Sequence, residues 1–198
     1  LVGSEMCIRD RAGYAYDVIK NFSVSATFKY LFSDMGRIGN SRGASSVAFD
    51  LGVLYKCEIN DWEGAGWSVG LHVSNLGPKI NYLTSKDALP ATVKVGGAAD
   101  LPFLQMHKLT LTADLGYRLS PADVQALSVS AGAEYAWREL VMLRGGYHCG
   151  DKKKGDASYA TAGAGVEYAG VRLDFAWLFA GHEYLARNTF WVSLGYSF

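Results

Sequence analysis

Apolar and polar residues alternate along most of the chain. From Ala12 onward, apolar side chains occupy every second position in successive stretches, and segments rich in Gly, Ser, Pro or charge separate these stretches. Alternation with a period of two places all the apolar side chains of an extended strand on one face. The pattern therefore predicts about eleven β-strands, each with one apolar and one polar face.

The predicted strands follow one another without a long apolar helix between them. They cover residues 14–18, 22–32, 47–55, 67–73, 91–99, 109–117, 127–137, 141–147, 160–168, 171–179 and 190–198. The last strand, FWVSLGYSF, places Phe190, Val192, Leu194, Tyr196 and Phe198 on one face. This alternation fits a soluble sandwich as well as a membrane barrel, so by itself it leaves both open.

The distribution of charge favours the barrel. The apolar faces carry no charge, and charged residues of both signs lie on the opposite faces: Lys29, Asp50, Lys56, Lys94, Asp100, Asp114, Arg118, Glu134, Arg144, Glu167, Arg172 and Asp174. In a transmembrane barrel the apolar face meets lipid and the polar face lines a wet interior. We therefore expect these charges to form side-chain pairs inside a barrel.

Connection lengths and aromatic residues favour the same fold. Short connections are predicted near Asn21, Arg138 and Ala169, and longer ones near Arg37, Leu83, Lys153 and Glu183. Aromatic residues cluster towards the two ends of the apolar faces: Phe22, Tyr55, Trp67, Tyr135, Trp137, Tyr168 and Tyr196 at one, and Tyr30, Phe32, Tyr117, Tyr147, Trp177 and Phe179 at the other. Short periplasmic turns, long outer loops and two aromatic girdles are typical of outer-membrane barrels. We expect a periplasmic C-terminus.

Composition excludes some classes. The 198 residues contain 19 Lys and Arg and 19 Asp and Glu, so no basic excess argues for a nucleic-acid partner. Numerous Gly, Tyr and Phe residues (23, 12 and 9) beside only 4 Pro suit many aromatic-rich strands. No run of about 18 apolar residues exists, which excludes a transmembrane helix from the sequence but not a transmembrane barrel.

The first eleven residues differ from the rest. LVGSEMCIRDR, residues 1–11, lacks strand or helix periodicity and looks like a translated sequencing-adapter scar. We set it aside as non-native and treat residues 12–198 as one outer-membrane β-barrel domain. Because bacterial single-chain barrels have an even number of strands, eleven strands lead us to expect that N-terminal strands are missing.

The sequence offers no catalytic or metal site. The histidines lie on separate predicted strands or loops without metal-ligand spacing: His72, His107, His148 and His182. The three cysteines also lack such spacing, and Gly163 and Gly165 open no phosphate-binding loop because Tyr168 takes the place of a third glycine. We see no nucleophile paired with a base, and interior carboxylates that face Lys and Arg are usually structural. We therefore predict neither an enzyme nor a cofactor.

Several segments carry a family resemblance. Residues 73–82, VSNLGPKINY, followed by Leu-Pro-Ala at 89–91, resemble the PorV/PorQ family of type IX secretion outer-membrane proteins. Other similar segments are 49–52 ahead of 55–56, 132–135, 143–147, 151–155 running into 163–165, 173–176 and 188–190. Their order extends over nearly all of residues 12–198. The C-terminal strand, which ends on an aromatic residue, also resembles the C-terminal signal of outer-membrane barrels.

The resemblance implies a fold and a role. The family adopts a FadL-like barrel of roughly fourteen strands, of which this chain resembles the C-terminal portion. Its members bind the C-terminal signal domains of secreted cargo and carry them from the translocon to the surface attachment machinery. We expect the loop from Asn75 to Pro90 to hold such a partner, with these candidate residues: Asn75, Leu76, Gly77, Pro78, Lys79 and Tyr82.

Further expected partners are outer-membrane lipid, lipopolysaccharide and other type IX secretion components. Lys152 to Lys154 offer charge for lipopolysaccharide phosphates, although a solvated loop tip is the simpler interpretation. The alternative function is a FadL-like outer-membrane transporter of hydrophobic compounds. The Ser, Thr, Gly and charged residues of the polar faces argue against a greasy passage.

Overall fold

The computed structural model describes residues 6–34, 44–81, 86–104, 106–138, 140–181 and 189–197. These residues form strands almost throughout. The strands are β1 (Met6–Ile19), β2 (Phe22–Asp34), β3 (Ala44–Glu58), β4 (Gly66–Leu76), β5 (Ile80–Asn81), β6 (Lys86–Asp87), β7 (Thr92–Phe103), β8 (His107–Arg118), β9 (Leu127–Trp137), β10 (Val141–Cys149), β11 (Tyr159–Tyr168), β12 (Val171–Ala180) and β13 (Thr189–Tyr196). Two short 3-10 helices, Ala122–Val124 and Lys152–Lys154, lie in connections.

Eleven strands share one antiparallel sheet. Their order is β1-β2-β3-β4-β7-β8-β9-β10-β11-β12-β13, and β5 and β6 form a separate two-stranded sheet. Every long strand therefore pairs with its neighbour in the sequence, as in an up-and-down barrel. The predicted all-β antiparallel class and its eleven strands are confirmed, and the sheet is consistent with a β-barrel fold. None of the helices within these described ranges is long and apolar enough to cross a membrane.

Strand β1 begins earlier than the sequence pattern indicates. Residues 6–11, which we set aside, pair with β2 from Met6↔Asp34 to Arg11↔Lys29. A ladder uses backbone N–H and C=O groups, so a strand can extend through residues that show no apolar alternation. The non-native origin of residues 1–11 stays a prediction.

The chain divides into two compact units. Unit 1 comprises Leu1–Tyr55, Gly70–Val95 and Gly116–Gln125, and unit 2 comprises Lys56–Val69, Gly96–Leu115 and Ala126–Phe198. Each unit contains its own group of interacting polar side chains. These two groups are described separately below.

The apolar side chains are the exposed ones. In β3, Phe49, Leu51 and Val53 are 48%, 51% and 38% exposed, whereas Asp50 between them is only 8% exposed. Strand β12 repeats this inversion, with Leu173 exposed and Asp174 half-buried. The buried apolar side chains of the described residues are mostly small: Ala48, Ala65, Leu89, Ala126, Ala136 and Met142. Apolar and charged side chains lie on opposite faces, as predicted, and so much exposed apolar surface is typical of strands that face lipid.

Connections alternate in length along the sheet. Those that follow β1, β3, β7, β9 and β11 comprise residues 20–21, 59–65, 104–106, 138–140 and 169–170, and those that follow β2, β4, β8, β10 and β12 comprise residues 35–43, 77–91, 119–126, 150–158 and 181–188. We call the strand ends joined by the first set the short-turn ends and the others the long-loop ends. The predicted alternation of short and long connections is confirmed.

The two described cysteine side chains offer a test of orientation. Cys57 is half-buried near the short-turn end of β3, and Cys149 is exposed at the long-loop end of β10. If the long loops face outward, an impermeant thiol reagent applied to whole cells should label Cys149 and spare Cys57. The measurement is mass spectrometry of labelled protein in a Cys7→Ser background. Labelling of Cys57 alone would reverse the assigned orientation.

Candidate functional site

A polar cluster fastens the base of the 77–91 loop in unit 1. Lys29 of β2 and Asp50 of β3 form an ion pair, and their side chains are 7% and 11% exposed. The Asn75 backbone N–H donates to Asp50 Oδ1 at 2.8 Å, and Lys29 Nζ donates to Asn75 Oδ1 at 3.0 Å. Asn75 Nδ2 donates to the Pro90 carbonyl at 3.1 Å. Asn75 therefore joins the ion pair to both ends of the loop.

The backbone of Asn75 explains its place there. Its φ angle is +57°, in the left-handed region that asparagine adopts more readily than most residues. Asn75 is the second-last residue of β4, and its side-chain amide reaches the Pro90 carbonyl. A single residue thus combines an unusual backbone conformation with hydrogen bonds to both the ion pair and the loop.

Gly77 allows the loop to approach β3 closely. A Cβ atom at Gly77 would collide with the Val47 carbonyl and lie 2.9 Å from Leu89 Cδ1 and 3.2 Å from Ala48 Cα. Only glycine fits so close to another backbone. The Ser46 hydroxyl donates to the Pro78 carbonyl at 3.4 Å, so the start of the loop is held against β3.

The structure gives the six predicted partner-binding residues different positions. Asn75 and Gly77 hold the loop in place, and Leu76 is half-buried beside them. Pro78 and Lys79 are exposed. Tyr82 lies outside the described residues. Partner binding by any of the six stays a prediction.

Residues 119–125 form a second braced segment in unit 1. The Leu119 backbone N–H donates to the Ala91 carbonyl at 2.8 Å, which ties this segment to the end of the 77–91 loop. Gln125 Nε2 donates to the Leu119 carbonyl at 3.0 Å, and Gln125 Oε1 accepts from the Tyr117 hydroxyl at 3.5 Å. From the sequence we expected only a break between the predicted strands 109–117 and 127–137 here. The bracing depends on Gln125, whose role no local pattern indicates.

A cleft of about 510 Å³ lies between these two segments. Its lining residues come from both: Lys79, Ala88, Leu119, Ser120, Pro121, Ala122 and Asp123. Leu119 is 40% exposed, and neither Lys79 nor Asp123 has an ion-pair partner within the described residues. An apolar surface with a cation and an anion suits an extended peptide segment that carries both kinds of side chain.

Unit 2 contains a network of charges on the polar faces of β9 to β12. Arg144 forms ion pairs with Glu134 and, through Nη1 at 2.6 Å, with Asp174 Oδ1. Arg172 Nε lies 2.7 Å from Asp174 Oδ2, and Arg172 Nη1 lies 3.6 Å from Glu167 Oε2. For these five residues, the predicted pairing of opposite charges on the polar faces is confirmed.

Gly165 leaves the space through which the Arg144 side chain reaches Asp174. Arg144 is on β10 and Asp174 on β12, so the ion pair crosses β11, where Gly165 is in register with Asp174. A Cβ atom at Gly165 would lie 2.5 Å from Asp174 Oδ1 and 3.3 Å from Arg144 Nη1. The glycine spacing of β11 therefore makes room for a structural ion pair.

The structure also brings together Ser130, His148 and Asp156, which the sequence did not connect. His148 Nδ1 lies 2.9 Å from Ser130 Oγ, and His148 Nε2 lies 3.1 Å from Asp156 Oδ1. The Tyr159 ring stacks on the imidazole at a centroid distance of 4.8 Å. The ring nitrogens are exchanged relative to a hydrolase triad, in which the acid bonds Nδ1 and the serine faces Nε2. We interpret the contact as a brace that ties the 150–158 loop to β9.

The comparison with known families agrees with this architecture. The family described as type IX secretion system protein PorV matches residues 4–125, which is more than half of the chain. No curated protein matches the sequence. The matched region includes β1 to β8, the polar cluster around Asn75 and both segments that line the cleft. The chain belongs to the PorV family of type IX secretion system proteins.

Proposed function

We propose that the chain acts in the outer membrane by binding the C-terminal signal domains of secreted cargo and passing them to the surface attachment machinery. Family membership supports a role in type IX secretion and contact with other components of that system. Exposed apolar faces on antiparallel strands support an outer-membrane location. The proposed orientation places the long loops outside and the C-terminus in the periplasm.

The observation that carries the binding role is the braced cleft of unit 1. Asn75 and Gly77 hold one wall, and Gln125 and the Leu119 backbone hold the other. A preformed site has less conformational entropy to lose on binding than a mobile loop has. The cleft exposes Leu119 for an apolar contact and Lys79 for a charged one, so it supports recognition of a peptide segment.

The polar faces argue against transport of hydrophobic solutes. In unit 1 they carry the Lys29 and Asp50 pair, and in unit 2 they carry the chain of charges around Arg144. Transfer of a hydrocarbon from water to a surface of ionised groups is not favourable, because these groups need water or a counter-charge around them. This distribution of charge favours a binding protein over a FadL-like transporter.

Lipopolysaccharide is a second proposed partner. Lys152–Lys154 form a 3-10 turn whose first residue follows Asp151, and Asp151 Oδ1 accepts from the Lys153 backbone N–H at 3.0 Å. The three lysines are exposed on this ordered turn. Phosphate groups attract such cations, so outer-leaflet lipopolysaccharide fits the loop if it faces outward.

The test is capture of a cargo signal domain by purified full-length protein. The double variant Lys79→Glu/Leu119→Asp should bind at least tenfold more weakly, because it removes an apolar contact and reverses a charge in the cleft. Assembly into the membrane should be unchanged, since neither side chain contributes to a strand ladder. Lys153→Glu, on a loop outside the cleft, is the matched control and should bind normally.

A transporter would behave differently. Gly132→Trp places a large side chain on the polar face, where a Cβ atom meets only Thr112 Oγ1 at 3.0 Å and the Gly145 carbonyl at 3.5 Å. We expect this variant to capture cargo and no variant to take up a hydrophobic solute. Normal capture by the cleft variant, together with uptake that Gly132→Trp blocks, would replace the secretion role with the transport role.

A further inference from the structure

The connection between β3 and β4 is a compact loop that its own backbone holds together. The Ile59 N–H donates to the Ala65 carbonyl at 2.9 Å, the Trp62 N–H to the Ile59 carbonyl at 3.2 Å, and the Ala65 N–H to the Trp62 carbonyl at 2.9 Å. Gly64, with φ of +77°, lies against Pro102, and Ala65 is only 3% exposed. The loop is therefore ordered without help from the side chains of Ile59 and Trp62.

Those two side chains are presented outward. Ile59 is 40% exposed and Trp62 is 44% exposed. Both lie on a loop at the short-turn ends of β3 and β4 rather than on a strand face. An exposed tryptophan on an ordered loop is the kind of side chain that dominates protein interfaces, because it buries a large area with little loss of rotamer freedom.

Acidic residues surround this apolar pair. Glu58, Asp61 and Glu63 are all exposed, and within the ranges that the structure covers none of them has an ion-pair partner. Glu58 and Glu63 also line an adjoining cleft of about 770 Å³, to which Lys56 adds one cation. The other carboxylate of this cleft, Asp100, is paired with Lys108 at 3.1 Å. The loop therefore combines two exposed apolar side chains with three exposed carboxylates, which we call its negative rim.

The negative charge of this loop favours a protein over lipid as its binding partner. Tryptophan can anchor a protein at lipid head groups, but anionic head groups attract Lys and Arg and repel carboxylates. Three carboxylates within the six residues 58–63 oppose such an anchor. A protein surface with an apolar pocket and a basic rim complements the loop in both shape and charge.

We propose that residues 58–63 dock a basic protein surface and insert Trp62 into an apolar pocket at its centre. The partner is another component of the type IX secretion system, a statement that rests on the proposed function. The carboxylates of Glu58, Asp61 and Glu63 steer the approach and pair with Lys or Arg of the partner. Cargo recognition uses other residues, so the two functions can be lost independently.

The test is photo-crosslinking from position 62 in full-length protein in its native outer membrane. Trp62→p-benzoylphenylalanine should crosslink to a type IX component at a segment rich in Lys and Arg. Adding Glu58→Lys, Asp61→Lys and Glu63→Lys should lower the crosslink yield at least tenfold. Lys56→Glu changes charge in the same cleft in the opposite direction and should cause no loss.

Three other outcomes would overturn the proposal: crosslinks to lipid alone, a protein crosslink that the triple charge reversal leaves intact, or the same protein crosslink from position 153. Cargo capture by the charge-reversed protein is measured in parallel and should be normal. If the crosslink fails while cargo capture is normal, the proposed docking role of residues 58–63 is wrong and the proposed cargo-binding function is unaffected. If the Lys79→Glu/Leu119→Asp variant captures cargo normally while the crosslink is intact and depends on charge, the cargo-binding role of the cleft is wrong and the docking role of residues 58–63 is supported.

Discussion

Replacing Lys29 with Met should destabilise the protein by about 3 kcal/mol, near the lower end of the range for breaking a buried ion pair. The side chains of Lys29 and Asp50 are only 7% and 11% exposed, so removal of the cation leaves the Asp50 carboxylate with little water to replace it. Asn75 would also lose the donor that bonds its Oδ1. The 77–91 loop should then open more readily, because Asn75 connects the pair to Pro90.

The double variant Lys29→Met/Asp50→Asn separates pairing from packing. It leaves no unpaired charge, and Asn at position 50 retains an oxygen that can accept from the Asn75 N–H. We expect it to recover most of the stability that Lys29→Met loses. The measurement is the denaturant midpoint of full-length protein in detergent. If both variants are equally unstable, the charge pairing itself is not what matters.

Placing an arginine on the apolar face should cost about 2–4 kcal/mol at the middle of the bilayer. Leu111 and Val53 are suitable positions, since their side chains are 42% and 38% exposed on faces that we assign to lipid. Leu111→Arg and Val53→Arg should therefore reduce assembly into the membrane, measured as the fraction of protein that resists unfolding by SDS without heating.

The matched control is Thr112→Ser, on the opposite face from Leu111. Its hydroxyl retains the ability to donate to the Gly132 carbonyl, now 3.4 Å away, so assembly should be unaffected. Gly52→Ser is unsuitable despite being on the polar face, because a Cβ atom there would lie 2.6 Å from Ser25 Oγ. Equal assembly of Leu111→Arg and the wild-type protein would show that this face does not meet lipid.

The alternation of residues predicted most of the local structure. Side chains two positions apart share a strand face whatever the strand pairs with, so sequence alone placed Asp50 and Asp174 on polar faces and Leu111 on an apolar one. Turn signals likewise separated the eleven long strands. The strand at residues 6–11 was not predicted, because backbone pairing extends β1 there without any apolar pattern.

The candidate site depended on contacts between distant residues. Asn75 lies 46 positions from Lys29, and Arg144 lies 30 positions from Asp174. Periodicity sets the face on which a residue lies, but strand register and loop path decide which residue it meets there. The sequence therefore determined an antiparallel sheet with one apolar and one charged face. Only the tertiary structure decided that Asn75 would fasten a loop, that Gly165 would admit Arg144 to Asp174, and that Ser130 would meet His148, because each of these contacts requires neighbouring strands to be aligned first.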